Sequence, residues 1–409
     1  MRYGNSVIRG AGLASALVLA ASVGTAAQQE VAGYSFETLA PVTDVGGTAV
    51  LGFAELPDGT LGVIGQDCSN EDASECTTLT WSSDDGGQTW TEAQPDMPGF
   101  AVTLLTHGDQ FVAVSSRGGD VPTHGTFVWT SDDALTWDPA ATLENVQFGS
   151  IQSTPDGLAI VGHDHRPAEG YGDSLAGYLT LWLSDDAVEW QASEVSAPLV
   201  APDLEGDMRF VRAARADDGS WFISGRLGTF DPADEEAPPS NVWLNWHGSP
   251  TAGWTAGTPP VGAQDMNILF GSTAEGFFLS GADAEAGTSG IWLTQDGIDW
   301  EQVADTGGVP PVEFGTAVGG GAIAVKYAFE NPGPQATLLD GAPVYSSADG
   351  RTWTDGGLVE GINVTQVGST PDGRVLLAGG PAPCEDFVAC VFFVGSNEVP
   401  VLMIGTPVS

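Results

Sequence analysis

From residue 34 onward the chain is built of short alternating runs. Residues 101–106 alternate apolar and polar, His107, Gly108 and Asp109 break the run, and residues 110–115 alternate again. After a longer loop residues 126–131 repeat the pattern, an acidic turn follows, and Thr136 and Trp137 open a fourth run. A period of two over five or six residues marks a half-buried antiparallel strand. Nowhere does a long period of 3.6 point to a helix. Four such strands joined by short turns make one blade of a β-propeller.

The first-to-second turn recurs along the chain. Pro57-Asp58-Gly59, His107-Gly108-Asp109, Pro155-Asp156-Gly157, Asp217-Asp218-Gly219, Ala274-Glu275-Gly276, Gly319-Gly320-Gly321 and Pro371-Asp372-Gly373 each separate two alternating runs. Asp and Gly supply the local hydrogen bonds and the positive φ that tight turns need. These seven turns predict an all-β fold, a seven-bladed β-propeller of four-stranded antiparallel blades forming a single domain over residues 28–409. The seventh repeat is expected to run from Ile362 to about Met403, with its third strand at residues 391–395. The segment from Tyr34 to Ala40 resembles the outer strands of the other repeats. It is expected to pair with the last blade, so that the N-terminal strand closes the ring and removes its sheet edges. A six-bladed ring with a separate terminal hairpin is the alternative.

Aromatic-flanked acidic turns mark the third-to-fourth connection. They run from Trp81 to Trp90, Trp129 to Trp137, Trp182 to Trp190, Trp292 to Trp300 and Tyr345 to Trp353, with a blurred copy from Trp243 to Trp254. Their closing tryptophans lie 46 to 64 residues apart, the interval of a radial or stacked array rather than of an ordinary single-core domain. Ser83-x-Asp85-x-Gly87-x-Thr89-Trp90 matches the Asp-box, or bacterial neuraminidase repeat, at each defining position. Ser131, Asp133, Thr136 and Trp137 match its one-residue-shorter form, as do Ser347, Asp349, Gly350, Thr352 and Trp353. Ser184, Asp186 and Trp190, and Thr294, Asp296, Gly297 and Trp300, are looser copies.

On these motifs the chain resembles the Asp-box, sialidase-like β-propeller superfamily over essentially its whole length beyond residue 27. That superfamily includes sialidases, xyloglucan-degrading hydrolases, sortilin-like receptors and photosystem assembly factors. Its boxes lie on the face opposite the substrate site. The resemblance thus implies structural roles for Asp85, Asp133, Asp186, Asp296 and Asp349. Each carboxylate would accept backbone N–H bonds within its turn while the tryptophan packs between sheets.

Residues 1–27 read as a secretory signal peptide. Arg2 and Arg9 precede a small and apolar run from Ala11 to Val23, and Thr25-Ala26-Ala27 offers a cleavage site before Gln28. The run is too short to span a bilayer, so the protein is expected to be secreted or periplasmic; a retained N-terminal anchor is the alternative. Without Arg2 and Arg9, nine basic residues remain against 54 acidic ones, a net charge of −45. Such a surface repels nucleic acid and anionic membrane, so neither is an expected partner. Lys326 is the only lysine, and an acid excess of this size suits saline surroundings, where salt screens self-repulsion. Cys68 with Cys76 and Cys384 with Cys390 form two local pairs, each bracketing a loop between strand ends. Export permits disulfides there. Metal ligation is the competing reading, although neither pair has Cys-x-x-Cys spacing or a histidine nearby. No cofactor and no metal is expected.

If both kinds of short turn share one face, the second-to-third loops share the other, and long variable loops on a rigid scaffold carry function. The scarce cations collect there. Arg117, His163, His165, Arg166, Arg226 and Lys326 lie at or just beyond the end of a second strand, and Arg209 begins the first strand of the fourth blade. Converging cations in so acidic a field favour a carboxylate-, sulfate- or phosphate-bearing ligand. The alternative is that each pairs with a loop acid such as Asp164 or Glu169. His163 and His165 share one face of a strand and could reach a metal ion together, with Asp173 or another acid assisting, but no third ligand is identified.

The sialidases of the superfamily hold the substrate carboxylate with three arginines, the first in a Phe/Tyr-Arg-Ile-Pro motif. That motif is absent, and no arginine lies between Arg9 and Arg117. Tyr327 and Glu313, at the rim of one blade, could imitate the family's tyrosine nucleophile and glutamate partner. Two functions follow. One is a non-catalytic, monomeric propeller that recognises a glycan or another extracytoplasmic protein through its loop face. The other is a carbohydrate-active enzyme with a carboxylate pair drawn from Asp67, Asp164, Glu169, Asp231, Glu313 and Glu330, about 5–10 Å apart.

Overall fold

A computed structural model describes residues 28–408, apart from 45–47, 68–75, 118–124, 168–174, 197–204, 231–239, 261–265, 284–287, 308–310, 312, 317–320, 331–336, 371 and 384–398. Residues 1–27, Cys68, Cys384, Cys390, Glu169, Asp173 and Asp231 lie outside the described residues.

Seven antiparallel sheets follow one another around a ring, six of four strands and the last of five, with Gln29–Val31 added outside its fourth strand. Blade one comprises Thr48–Glu55, Leu61–Asp67, Thr77–Ser83 and Thr91–Ala93, from the inside outward. Blade two comprises Phe100–His107, Gln110–Arg117, Gly125–Ser131 and Asp138–Glu144. Blade three has Val146–Thr154, Gly157–Pro167, Leu175–Ser184 and Gln191–Glu194, and blade four Glu205–Arg215, Trp221–Phe230, Ser240–Ser249 and Gly253–Gly257. Blade five has Met266–Thr273, Gly276–Asp283, Thr288–Thr294 and Glu301–Asp305, and blade six Glu313–Thr316, Ala322–Val325, Gly341–Ser347 and Thr354–Glu360. Between its second and third strands blade six carries a small hairpin, Phe329–Glu330 with Thr337–Leu338. Successive inner strands touch all the way round, including blade seven against blade one, so the circle is complete.

Blade seven joins the two ends of the chain. Ile362–Ser369, Val375–Pro381 and Val401–Pro407 form its inner three strands, and Tyr34–Thr38 is its fourth. Tyr34 pairs with Pro407 and Thr38 with Met403, so the N-terminal strand closes the ring as the sequence predicts. The third strand is a correction. It is Val401–Pro407, not residues 391–395, which lie outside the described residues. Closure is also hydrophobic: Leu376 and Leu402 of blade seven pack with Leu61, Val63 and Trp81 of blade one, all nearly or fully buried. Each such side chain contributes about 1.5–3 kcal/mol through burial.

The second strands depart from simple alternation. Leu61–Asp67 and Gly157–Pro167 begin with consecutive buried residues, because a blade's second strand is covered by a neighbouring blade on each face.

The acidic turns form local hydrogen-bond cages. Asp85 Oδ1 accepts from the Gln88 and Thr89 N–H groups at 3.0 and 2.9 Å, while Ser83 Oγ accepts from the Gly87 N–H at 2.8 Å. Asp133 accepts from the Leu135 and Thr136 N–H groups at 2.8 Å, and Asp186, Asp296 and Asp349 repeat that pattern. The tight bend forces Ala134 and Ala187 to positive φ of 58° and 64° where other copies use glycine.

Blade four differs. Leu61 pairs with Ser83 and Leu158 with Ser184, and the equivalent pair in blade four is Trp221 with Gly248. The blurred copy therefore opens at Trp246, not Trp243, with Gly248 in the serine position and Pro250 in the aspartate position. Neither residue can form the cage. The chain instead makes a plain hairpin in which Ser249 pairs with Gly253.

Candidate functional site

The pairing of Leu61 with Ser83 puts first-to-second and third-to-fourth turns on one face of the ring, so the second-to-third connections lie on the other. Between the faces the inner strands carry an irregularity. A register shift interrupts them between Val50 and Gly52, Ala101 and Thr103, Phe148 and Ser150, Arg209 and Arg212, Leu269 and Gly271, and Val364 and Gln366. A bulge adds one residue and resets which side chains share a face. Counting by two along these strands therefore fails.

In blade four the bulge places Arg212 opposite Ser224, and Arg209 opposite Arg226. Arg212 Nη2 lies 3.3 Å from Glu313 Oε1 of blade six. The two occupy the same level of the ring, each the fourth residue from the box end of its inner strand. At that register blades one to three carry Gly52, Thr103 and Ser150, which pair with Ile64, Val114 and Val161. The ion pair thus spans the inner side of blade five, at the central channel. Its side chains retain 38% and 18% exposure, so the guanidinium remains reachable from solvent.

Burial pushes the Glu313 carboxyl above its usual value, with Arg212 opposing. Burial also pushes the Tyr327 phenol up; the Glu313 charge adds to this and Arg212 counters it. The Tyr327 ring stacks on Phe329 with centroids 5.5 Å apart. Tyr327 is therefore close enough to feel the Glu313 charge, and Arg212 completes the group. Sequence reading passes over Arg212. Its signal is the run Arg209, Arg212, Arg215, which holds three of the chain's few cations within seven residues.

The other candidates disperse. Arg166 pairs with Glu194 and, at 3.6 Å, with Asp164, and its guanidinium lies 3.9 Å from the centre of the Tyr178 ring. Burial raises the Asp164 carboxyl against the pull of Arg166. Arg117 is exposed and sits 5.6 Å from the centre of the Phe127 ring. His163 is buried, its ring edge-on to that of His165 at 6.2 Å. Arg226 is half-buried, and the Arg209 side chain lies outside the described set. Lys326 is buried and donates from Nζ to the Thr306 and Gly307 carbonyls at 3.0 and 2.9 Å. Among the described residues no group of three or more His, Cys, Asp or Glu could hold a metal ion. Also among them no cysteine is free, so Cys76 is not a free thiol.

Two of the cavities among the described residues lie away from the ion pair. One of about 720 Å³ opens on the box face between blades three and four, bordered by Asp186, Arg215 and the Gly248–Ala252 turn. The boxless hairpin of blade four forms one of its walls. The other, of about 500 Å³, lies between blades five and six around Lys326.

With the geometry in view, the chain can be set beside known proteins. No protein-family model matches it, and no curated protein is similar to it in sequence. Solved structures do resemble it. YCF48 from Cyanidioschyzon merolae is 13% identical, with a TM-score of 0.50 over 91% of this chain and 98% of that one. The β-propeller domain of the Trilobed protease from Pyrococcus furiosus is 11% identical, with a TM-score of 0.51 over 90% and 97%. An α-L-arabinanase from Penicillium chrysogenum, complexed with arabinobiose, is 13% identical with a TM-score of 0.45 over 91% and 98%. At such identities the likeness is one of fold. The protein is a seven-bladed β-propeller.

Proposed function

We propose that this is an exported, sialidase-like Asp-box propeller that recognises an anionic glycan at its central channel without turning it over. The observation that carries this reading is the half-exposed Arg212 guanidinium, oriented by Glu313 at 3.3 Å. A planar guanidinium fixed by one carboxylate still has N–H donors for a second, and a bidentate contact to a ligand carboxylate or sulfate is the pairing it suits best. The strongly acidic surroundings make such a cation the local attractor for an anion. The Asp-box resemblance supplies the glycan class, and the signal-like residues 1–27 supply the exported setting. In that setting Cys68 is assigned to Cys76, and Cys384 to Cys390, as disulfides, and the closed ring acts as a monomer.

Against turnover stands the state of Tyr327. A nucleophilic phenol needs a lowered pKa or a free base beside it, whereas burial and Glu313 both push this phenol up, and Glu313 is engaged by Arg212. One observation favours the enzymatic reading: a carboxyl held above its usual value is what a general acid requires, and Glu313 is such a group.

The deciding experiment is calorimetric titration of the full chain with anionic polysaccharides, alongside aryl-glycoside hydrolysis assays. Arg212→Ala is expected to weaken binding about tenfold or more, since a charge-assisted hydrogen bond contributes roughly 1.5–3 kcal/mol. Unchanged affinity in that variant defeats the channel as the binding site. Turnover that disappears in Glu313→Gln defeats the non-catalytic reading. Binding of an extracytoplasmic protein but of no glycan, sensitive to Arg212→Ala, moves the ligand to the protein class.

A further inference from the structure

Lys326, the chain's only lysine, is set apart by the fold. It directly precedes Tyr327, yet the two side chains serve different places. Tyr327 lies in the field of Glu313 and Arg212, whereas Lys326 enters the cavity of about 500 Å³ between blades five and six. Thr306 and Gly307 of blade five border that cavity, with Tyr345 and Asp355 of blade six, and Phe329 and Glu330 of the small hairpin form its far wall.

Lys326 is 6% exposed. Its hydrogen bonds go to the Thr306 and Gly307 carbonyls at 3.0 and 2.9 Å, and Tyr345 Oη donates to the same Thr306 oxygen at 3.4 Å. Two carbonyl acceptors take up two N–H groups, the number a neutral primary amine has. Burial pushes the Lys326 ammonium below its usual range, against the opposing pull of Glu330, Asp355 and Asp305. Those carboxylates, at the edge of the site, discriminate against an anionic visitor.

We propose that Lys326 is a covalent amine site for a small neutral aldehyde. The Nζ lone pair attacks the carbonyl carbon, forming the C–N bond while the C=O π pair moves to oxygen. A proton passes from nitrogen to that oxygen, giving a carbinolamine. The second nitrogen proton is then lost as the hydroxyl leaves with a proton as water, and a C=N bond forms. Amine plus aldehyde gives imine plus water, with no oxidation or reduction.

The test treats the full chain at pH 7 with glycolaldehyde and sodium cyanoborohydride, which traps the imine, and reads adducts by intact mass and peptide mapping. Because only Lys326 and the chain's α-amine can react, the assignment is direct. The native protein is expected to label at Lys326 faster than the same protein unfolded in guanidinium, by about tenfold for each unit by which its pKa is depressed. Labelling at Lys326 only after unfolding, or no faster in the native state, overturns the proposal and leaves a lysine that merely caps two carbonyls. Replacing glycolaldehyde with glyoxylate, which is anionic, is expected to slow native labelling several-fold; equal rates overturn the preference for a neutral ligand. Lys326→Met, which carries no amine and no charge, is expected to lose the adduct. An adduct that persists on that peptide assigns the chemistry elsewhere.

Discussion

The box face and the channel use arginine in opposite ways. On the box face each guanidinium ties a blade to its neighbour. Arg215 of blade four meets Asp156 of blade three, Arg374 of blade seven meets Glu55 of blade one, and Arg351 of blade six reaches Glu275 and Glu301 of blade five. In the channel Arg212 skips blade five altogether to reach Glu313. Adjacent-blade ties fix the angle between sheets, whereas a tie that skips a blade adds little to that angle and presents a charge to the lumen. The difference separates cations that hold the ring from one that stays partly exposed in the channel.

Removing Arg374 is expected to have the largest effect. The Glu55 side chain is 2% exposed, and burial already pushes its carboxyl up, with Arg374 opposing. Arg374→Ala leaves that buried carboxylate uncompensated at the junction where the ring closes. A loss of about 3–5 kcal/mol is expected, read as a lowered Tm. Arg351→Ala, whose partners are 45% and 62% exposed, is expected to lower the Tm far less, because exposed pairs are screened by solvent. Similar losses in the two variants would abolish the distinction drawn within the box face, and lost ligand binding in Arg374→Ala would abolish the one drawn between faces.

Blade four sharpens the comparison from the other side, because its box position is empty of box chemistry. Restoring a serine there is expected to harm the fold. A Cβ on Gly248 would lie 2.1 Å from the Gly253 carbonyl oxygen, and the residue sits at φ 154°. Gly248→Ser is therefore expected to destabilise by roughly 1–3 kcal/mol, although serine occupies the same register in blades one, two, three and six. A raised Tm in Gly248→Ser would show that the plain hairpin is a weakened box and not a different turn.

Much of the ring is legible in sequence because its determinants are local. Each acidic turn is closed by bonds reaching two to four residues along the chain, so contiguous letters encode it. The closing strand is legible through its likeness to other outer strands. Blade four misleads because Trp243 and Trp246 are both aromatic and near the turn, and only the pairing of Trp221 with Gly248 chooses between them. Blade seven misleads because, without a box, nothing local distinguishes residues 391–395 from the true third strand. The channel pair is hidden for two reasons. Its members are 101 residues apart, and the bulge after Arg209 breaks the parity that would place Arg212. The burial of Lys326 is hidden too, since its acceptors are backbone carbonyls of another blade and backbone carries no sequence signature.

The smallest effect expected is a titration. Asp85 and Asp349 are held at about 2, below the usual 3.8. The Thr89 hydroxyl and amide are foremost at Asp85, and the Thr352 and Arg351 amides at Asp349. A carboxyl whose folded pKa is depressed favours folding above its unfolded value and loses that contribution as pH falls through the folded one. The boxes are thus expected to support the ring fully above about pH 4 and to release it progressively down to about pH 2. Asp85→Asn is expected to flatten that part of the Tm-against-pH curve, and Arg212→Ala to leave it unchanged, because Glu313 is shifted upward and titrates outside this window. A steep acid transition that survives in both Asp85→Asn and Asp349→Asn would mean that the boxes hold the turns by shape alone. The box carboxylates would then have no more part in stability than the channel pair.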